Sequence, residues 1–419
     1  MNRRASIGAG SRAWRFGLCA ALCWPLLSCG GGGGVGVSGS SGSGGSTPTG
    51  ANVADVVVDA GPTSTTPDVN TLFTTVTVCV PGSTTNCQSI DHIQVDTGSY
   101  GLRILGPVLT VSLPVRTTAN GASLLECTQF VDGYSWGPVA LADVQISGES
   151  AGSVPVQIIG DANFTNVPAD CSSIGRAEDT VAAFGANGIL GIGVFAQDCG
   201  PNCVSTAVPA TYYACTSTLC QATTVSLVNQ VQNPVTLFAK DNNGVVVELP
   251  SVAAQGAATV AGFLIFGIDT QSNNKSGTQT VLTVDQNAEL VMTFNGQTLA
   301  KSFIDSGSNA IFFADGNIAP CMTTDTGFYC PGNTLTLGPL SIQGQNGVMV
   351  NNLTFGVGNA QTMLQTNPNF NVLPELAGTL PTGLTGTFDY GLAFFYGKRV
   401  AVAVEGKTTS VGTGPYIAF

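Results

Sequence analysis

The chain has 419 residues, of which only 9% are charged, with 54 glycines, 21 prolines and 13 cysteines. Its formal charge of −12 disfavours electrostatic capture of DNA, RNA or anionic lipid headgroups. Val, Thr, Ser and Gly dominate and few stretches read as amphipathic helix, so a mainly β protein of two or three domains, or of two lobes, is expected.

The first segment reads as a targeting signal. Arg3, Arg4, Arg12 and Arg15 precede an apolar run over Phe16–Leu27 that is too short to span a bilayer comfortably. Its end, Leu26-Leu27-Ser28-Cys29-Gly30, resembles a bacterial lipoprotein signal, which implies removal of residues 1–28 and a lipid on Cys29. Leu27 is an unusual residue at its position, and plain secretion is the alternative. No Asp follows Cys29, so the outer membrane is the expected anchor site, on its periplasmic or surface face. Cleavage would leave nine basic side chains against 25 acidic ones, a charge of −16. Residues 29–50, almost all Gly, Ser and Thr, form a tether with a root-mean-square span of about 25 Å.

Beyond the tether, an N-terminal β lobe over 51–250 and a C-terminal β lobe over 251–419 are expected. The runs Leu72–Val80, Val139–Ile146, Val245–Leu249 and Val400–Val404 are short, β-branched and bounded by turn residues, which predicts strands. Asp241-Asn242-Asn243-Gly244 reads as a hairpin turn between two strands, since calcium-loop ligand spacing is missing. Apart from Cys19, Cys23 and Cys29, ten cysteines remain, an even number that favours five disulfides in an exported chain. Close spacing suggests Cys79–Cys87 and Cys321–Cys330; Cys199, Cys203, Cys215 and Cys220 supply two more bridges in an open pairing, which leaves Cys127 with Cys171.

Two segments repeat one pattern. Val95-Asp96-Thr97-Gly98-Ser99 and Ile304-Asp305-Ser306-Gly307-Ser308 each place an Asp after apolar strand residues and follow it with hydroxyl, Gly, hydroxyl. The acids are 209 residues apart, so each can belong to its own lobe. Hydrolysis of a peptide bond without metal or covalent nucleophile needs one carboxylate to take a proton from water and one carboxylic acid to give a proton to the carbonyl oxygen. Two carboxyls within about 3 Å cannot both ionise cheaply, so a shared proton makes the pair base and acid together. Gly98 and Gly307 permit the tight turn and close approach; Ser99 and Ser308 can hydrogen-bond the outer carboxylate oxygens, and Thr97 and Ser306 can tie the loops together. A second landmark follows each Asp: Gly188-Ile189-Leu190-Gly191 and Tyr390-Gly391, each expected to be a strand passing close behind its turn.

Other arrangements find little support. The single histidine, His92, lies four residues before Asp96 and reads as a structural or surface residue, not as part of a triad or zinc site. The Gly188–Gly193 run lacks the spacing and the βαβ context of a dinucleotide loop. No metal and no cofactor are expected. Asn163-Phe164-Thr165 and Asn352-Leu353-Thr354 fit the glycosylation pattern only incidentally.

The order Asp-Thr-Gly-Ser, possible flap, Gly-Ile-Leu-Gly, Asp-Ser-Gly-Ser resembles the pepsin-like bilobal aspartic peptidases over roughly residues 55–419. Ser226–Gln230, a strand over Pro234–Ala239, and Gly262–Asp269 are similar to the interlobe region of that family. Val58–Pro62, Val95–Leu105 and Gly391–Gly397 are similar to an exported bacterial family of unknown function. The peptidase resemblance implies Asp96 and Asp305 as the dyad, Ser99 and Ser308 as its supports, and a flap aromatic in the hairpin after Asp96. Tyr134 is the candidate there, with Trp136 beside it; both can equally cover a strand surface. The chain departs from the family at Arg103, where a Trp is usual, at Asp389, in an expected apolar pair, in its flap sequence, and in lacking a basic prosegment between Cys29 and Ala51. The expected protein is an exported, lipid-anchored, all-β bilobal endopeptidase that binds an extended peptide or protein substrate in the interlobe cleft, with no nucleic-acid partner. One alternative keeps the fold as a non-catalytic peptide- or protein-binding lipoprotein. Another is a β-sandwich adhesin whose Asp turns never meet.

Overall fold

The computed structural model describes residues 48–63, 68–131, 133–217, 219–322, 325–380 and 384–419. The signal, Cys29 and the tether up to residue 47 lie outside the described residues. Strands form wherever β-branched runs alternate between a buried and an exposed face. β1 (Val53–Val58), β2 (Leu72–Cys79), β3 (Cys87–Asp96), β4 (Tyr100–Leu105), β5 (Ser123–Gln129), β6 (Gly133–Ile146) and β7 (Glu149–Ile159) belong to one sheet. β2 also pairs with β6 at Thr77–Gln145, which curls this part of the sheet back on itself. β1 pairs with Val260–Phe266, so the same sheet continues through Gly244–Glu248, Arg399–Ala403 and Tyr416–Ala418. Residues 249–259 connect Gly244–Glu248 to Val260–Phe266, which pair as an antiparallel hairpin. A second sheet, in the C-terminal half, runs from Met349–Val357 through Leu335–Gln343, Leu290–Phe294 and Gln297–Ile304 to the short strands Asp389–Tyr390, Ile311–Phe312 and Ala377–Gly378.

The local topology around each Asp is the same in both halves. β3 runs parallel to Gly188–Ile192 with Asp96 opposite Gly191, and β4 returns antiparallel to that same strand. Gln297–Ile304 runs parallel to Asp389–Tyr390, and Ile311–Phe312 returns antiparallel to it. In each half one strand is threaded between the two arms of the Asp turn. The glycines at these crossings leave no room for a side chain. A Cβ on Gly191 would lie 2.5 Å from the Tyr100 nitrogen, and one on Gly391 would lie 2.3 Å from the Ala310 oxygen. The landmark glycines read from sequence are thus contact points with the turns.

One apolar core spans both halves and includes Val95, Leu102 and Leu190 from the first and Ile304, Ile311 and Tyr390 from the second. Behind the second turn it is aromatic: Phe313 stacks on Phe388 at 5.4 Å, and Phe294 and Phe355 meet both rings edge-on and tilt against each other. All five disulfides are present: Cys79–Cys87, Cys127–Cys171, Cys199–Cys203, Cys215–Cys220 and Cys321–Cys330. Their presence suits an extracellular or periplasmic protein. No helix among the described residues is long and apolar enough to cross a membrane.

Two local expectations are corrected. Pro234–Leu237 is a 3-10 turn and not part of a strand: Pro234 opens it without an N–H, and the Asn233 side chain accepts from the Val235 N–H at 3.1 Å. Asp241–Gly244 therefore links this turn to Gly244–Glu248 and does not join two strands.

Asn70, which belongs to no motif in the sequence, pins the halves together. It is fully buried with φ 52°, a conformation Asn tolerates better than most residues. Its Nδ2 donates to the Asn309 and Leu373 carbonyls at 2.9 and 2.8 Å, and its Oδ1 accepts from the Leu373 N–H at 2.7 Å and the Tyr396 hydroxyl at 2.9 Å. Asn70→Ala strands these groups in the interior and is expected to cost about 4 kcal/mol in urea unfolding. A loss below about 1 kcal/mol would show that the pin is not structural.

Candidate active site

The two Asp turns meet at the junction of the halves. Thr97 and Ser306 hold them through a reciprocal exchange: the Ser306 N–H donates to Thr97 Oγ1 at 2.9 Å, and the Thr97 N–H donates to Ser306 Oγ at 3.1 Å. Ser306 Oγ passes its own hydrogen to the Val95 carbonyl at 2.8 Å. Gln94 adds a crossing bond to the Gly307 carbonyl at 3.2 Å. Within each turn the glycine N–H donates to the inner oxygen of its own Asp, Gly98 to Asp96 and Gly307 to Asp305, both at 2.7 Å.

The turns interleave. A Cβ on Gly98 would stand 2.6 Å from the Asp305 carboxyl carbon, and one on Gly307 would stand 2.6 Å from Asp96 Oδ1. Each glycine is required because it lies against the acid of the other half. This brings the Asp96 and Asp305 carboxyls within hydrogen-bonding reach of each other. Both acids are 0% exposed, and Gly98 is the one partly exposed residue in the two Asp-to-Ser turns.

Burial pushes both acids above the usual carboxylate range, and Asp305 further, because Asp96 and Asp389 both face it. The Gly98 and Ser99 hydrogen bonds and the Arg103 charge oppose the rise at Asp96. Burial and the closeness of the two acids therefore favour a proton shared by the pair. The supporting serines are not equivalent. Ser99 Oγ donates to Asp96 Oδ2 at 2.5 Å, whereas Ser308 Oγ lies 3.3 Å from Asp305 Oδ2 and 2.6 Å from Asp389 Oδ2.

Arg103, 1% exposed, is the centre of a second buried polar cluster. Its guanidinium donates to Glu126 at 2.6 Å, Asp198 at 3.0 Å, Thr128 Oγ1 at 2.9 Å and the Tyr100 carbonyl at 2.8 Å. Tyr212 donates to the other Asp198 oxygen at 2.7 Å. Burial and the facing Glu126 raise Asp198 well above the usual carboxylate range, against the pull of Arg103. Removing one member would leave buried charge uncompensated, so the cluster fixes hairpin β5–β6 and the 196–232 segment against β4. Arg103 was visible in sequence only as a departure; its partners at 126 and 198 carried no local signal.

The flap candidates sit on the other face of that hairpin. Trp136 Nε1 donates to the Phe164 carbonyl at 2.8 Å, and its ring stands edge-on to Tyr213 beside the Cys127–Cys171 bridge. Tyr134 packs on the same cluster, and partial burial with Asp179 nearby raises its hydroxyl. Among the described contacts neither aromatic meets Asp96 or Asp305. Thr128 and its cross-strand partner Ser135 occupy the face turned to Arg103. A groove of about 640 Å³, lined by parts of 120–125, 163–168 and 215–220, adjoins the Trp136 cluster and contains neither acid. His92 rests 3.3 Å from both Asp59 and Asp91, remote in role from the pair. Among the described residues no group of His, Cys, Asp and Glu is arranged to hold a metal ion.

Acids with raised folded-state pKa values bind more protons folded than unfolded above about pH 4, so they cost stability as pH rises. Relative to wild type, Asp305→Asn is expected to gain stability progressively between pH 4 and 7 in urea titrations, by up to about 1.4 kcal/mol per pH unit. A difference that is flat with pH would mean that Asp305 is not held protonated by the fold.

Comparisons with known proteins bear on the fold. Across solved structures 358 chains match, among them an aspartic proteinase from Irpex lacteus. That structure is similar with a TM-score of 0.50 at 14% identity, covering 87% of this chain and 96% of the proteinase. The fold is therefore that of the bilobal pepsin-like aspartic proteinases. No curated protein matches the chain. The family described as "Protein of unknown function (DUF3443)" matches residues 48–419, and the chain belongs to that family.

Proposed function

We propose that this protein is an aspartic-type endopeptidase in which Asp96 and Asp305 activate a water molecule. The observation that carries this reading is the interleaving of the two turns, which brings two buried carboxyls from opposite halves into proton-sharing contact. Asp96 takes a proton from water as the oxygen attacks the peptide carbonyl, and Asp305 gives its proton to the carbonyl oxygen. Return of the proton from Asp96 to the amide nitrogen lets the C–N bond break, as one hydroxyl of the intermediate gives its proton back to Asp305 and becomes the carbonyl of the new acid. The substrate lies extended between the halves, where main-chain hydrogen bonding of the added-strand kind supplies sequence-tolerant affinity. Water and substrate enter on the Gly98 side, where the turns reach solvent. Export behind residues 1–28 and a lipid on Cys29, with the outer membrane as anchor, complete the proposed setting.

A second reading, a peptide- or protein-binding module on the same fold, draws support from one specific feature. Both acids are fully buried, which limits their access to a bound backbone, and the Arg103 cluster holds hairpin β5–β6 in place.

Cleavage of an unfolded protein substrate is expected at mildly acidic pH and is expected to fall at least about 10³-fold in Asp96→Asn and in Asp305→Asn. A statine peptide, which mimics the tetrahedral intermediate, should bind wild type at least about 10²-fold more tightly than its matched substrate analogue. Unchanged cleavage in either variant would overturn the dyad mechanism. Peptide binding without statine preference or cleavage would establish the binding module.

A further inference from the structure

The two halves provide an internal comparison. On the strands threaded behind the turns, Leu190 pairs with Val95 and Tyr390 with Ile304, each the residue before an Asp. One position earlier the first half has Ile189, buried among Phe73, Leu105 and Phe130. The second half has Asp389, only 2% exposed. The consequence is visible at the supporting serines. In the half with the apolar residue, Ser99 gives its hydroxyl to Asp96 at 2.5 Å; in the half with the acid, Ser308 lies 2.6 Å from Asp389 and 3.3 Å from Asp305.

A serine hydroxyl has one hydrogen to give. When Asp389 is ionised, that hydrogen goes to Asp389, and Asp305 loses its outer donor. When Asp389 is protonated, its own O–H can donate to Ser308 Oγ, and the Ser308 hydrogen is free for Asp305. The other oxygen, Asp389 Oδ1, is buried and has no hydrogen-bond partner among the described residues. A neutral acid tolerates such an oxygen far better than a carboxylate does.

The surroundings of Asp389 hold little that would neutralise it. Phe303 and Phe312 flank it on the neighbouring strands, and Phe388 and Tyr390 adjoin it in the chain. The charged groups that face it are Asp96 and, across Ser308, Asp305. Arg103 acts on Asp96 from the far side, and Lys398, further along the chain, donates to the Phe394 carbonyl instead.

Resting on the peptidase reading, we propose that Asp389 is a positioning residue for the dyad: through Ser308 it governs the hydrogen bond to Asp305 and so sets the pH at which the pair gives up its shared proton. As pH rises, Asp389 ionises, draws the Ser308 hydrogen to itself and places a like charge beside Asp305. The pair then keeps its proton to higher pH than it would alone, which extends activity toward neutrality.

The test uses Asp389→Leu, which restores the apolar pattern of the first half, and Asp389→Asn, which keeps the size and removes the charge should the Leu variant fail to fold. The alkaline limb of the pH–kcat profile is expected to move down by about one unit in each folded variant. Carboxyl carbon NMR of aspartate-labelled full-length protein should show the Asp305 titration step moving down in parallel. The NMR shift does not require turnover, so an inactive wild type would sink the peptidase reading while the shift still supported the role of Asp389. An Asp305 step that stays in place or moves up in both folded variants would overturn the proposal, as would an unmoved alkaline limb in an active variant.

Discussion

The exchange of hydrogen bonds between Thr97 and Ser306 ties the two Asp turns together, and the proposed chemistry depends on that contact. Each residue uses a backbone N–H and a side-chain oxygen to reach the other, so neither turn can shift without breaking both bonds. Those bonds form only because Gly98 and Gly307 allow each backbone to lie against the opposite carboxyl. The acids are then held together by neutral, directional contacts from outside the pair. Left to electrostatics alone, two carboxylates in a buried site would separate. The larger architecture serves this junction: the sheet shared through β1 and Val260–Phe266, and the Asn70 pin, keep the halves in register.

Pseudo-symmetry gives the site its acids, and departures from it give the acids different characters. The two turns match in their glycines, their inner-oxygen hydrogen bonds and the strand threaded behind them. They differ in what lies beyond. Asp96 has a committed serine and feels the Arg103 cation; Asp305 has a serine divided with Asp389 and feels two other acids. The two acids therefore sit in different surroundings, an asymmetry on which the proposed division into base and acid rests.

Much of this was legible because it is local. Asp-hydroxyl-Gly-hydroxyl fits in one turn, and the Gly191 and Gly391 crossings need only a glycine after an apolar or aromatic pair position. Bridges between nearby cysteines follow from spacing. What escaped is contact between distant residues with no repeating pattern. Asn70 is one polar residue among many until its partners at 309, 373 and 396 surround it. Arg103 could be recognised as unusual, but Glu126 and Asp198 could not be assigned to it. Tyr134 and Trp136 are two apart on a strand, which places them on one face; alternation cannot say which face meets the hairpin's neighbours, and here it is the disulfide cluster. Pro234–Leu237 failed as a strand because Pro and the Asn233 cap favour a turn despite the apolar composition.

Neutron diffraction from the deuterium-exchanged protein at pH 5 addresses the central claim most directly. A single deuteron is expected between the facing oxygens of Asp96 and Asp305. Two separately deuterated acids, or a pair with no deuteron and an ordered cation between them, would contradict it.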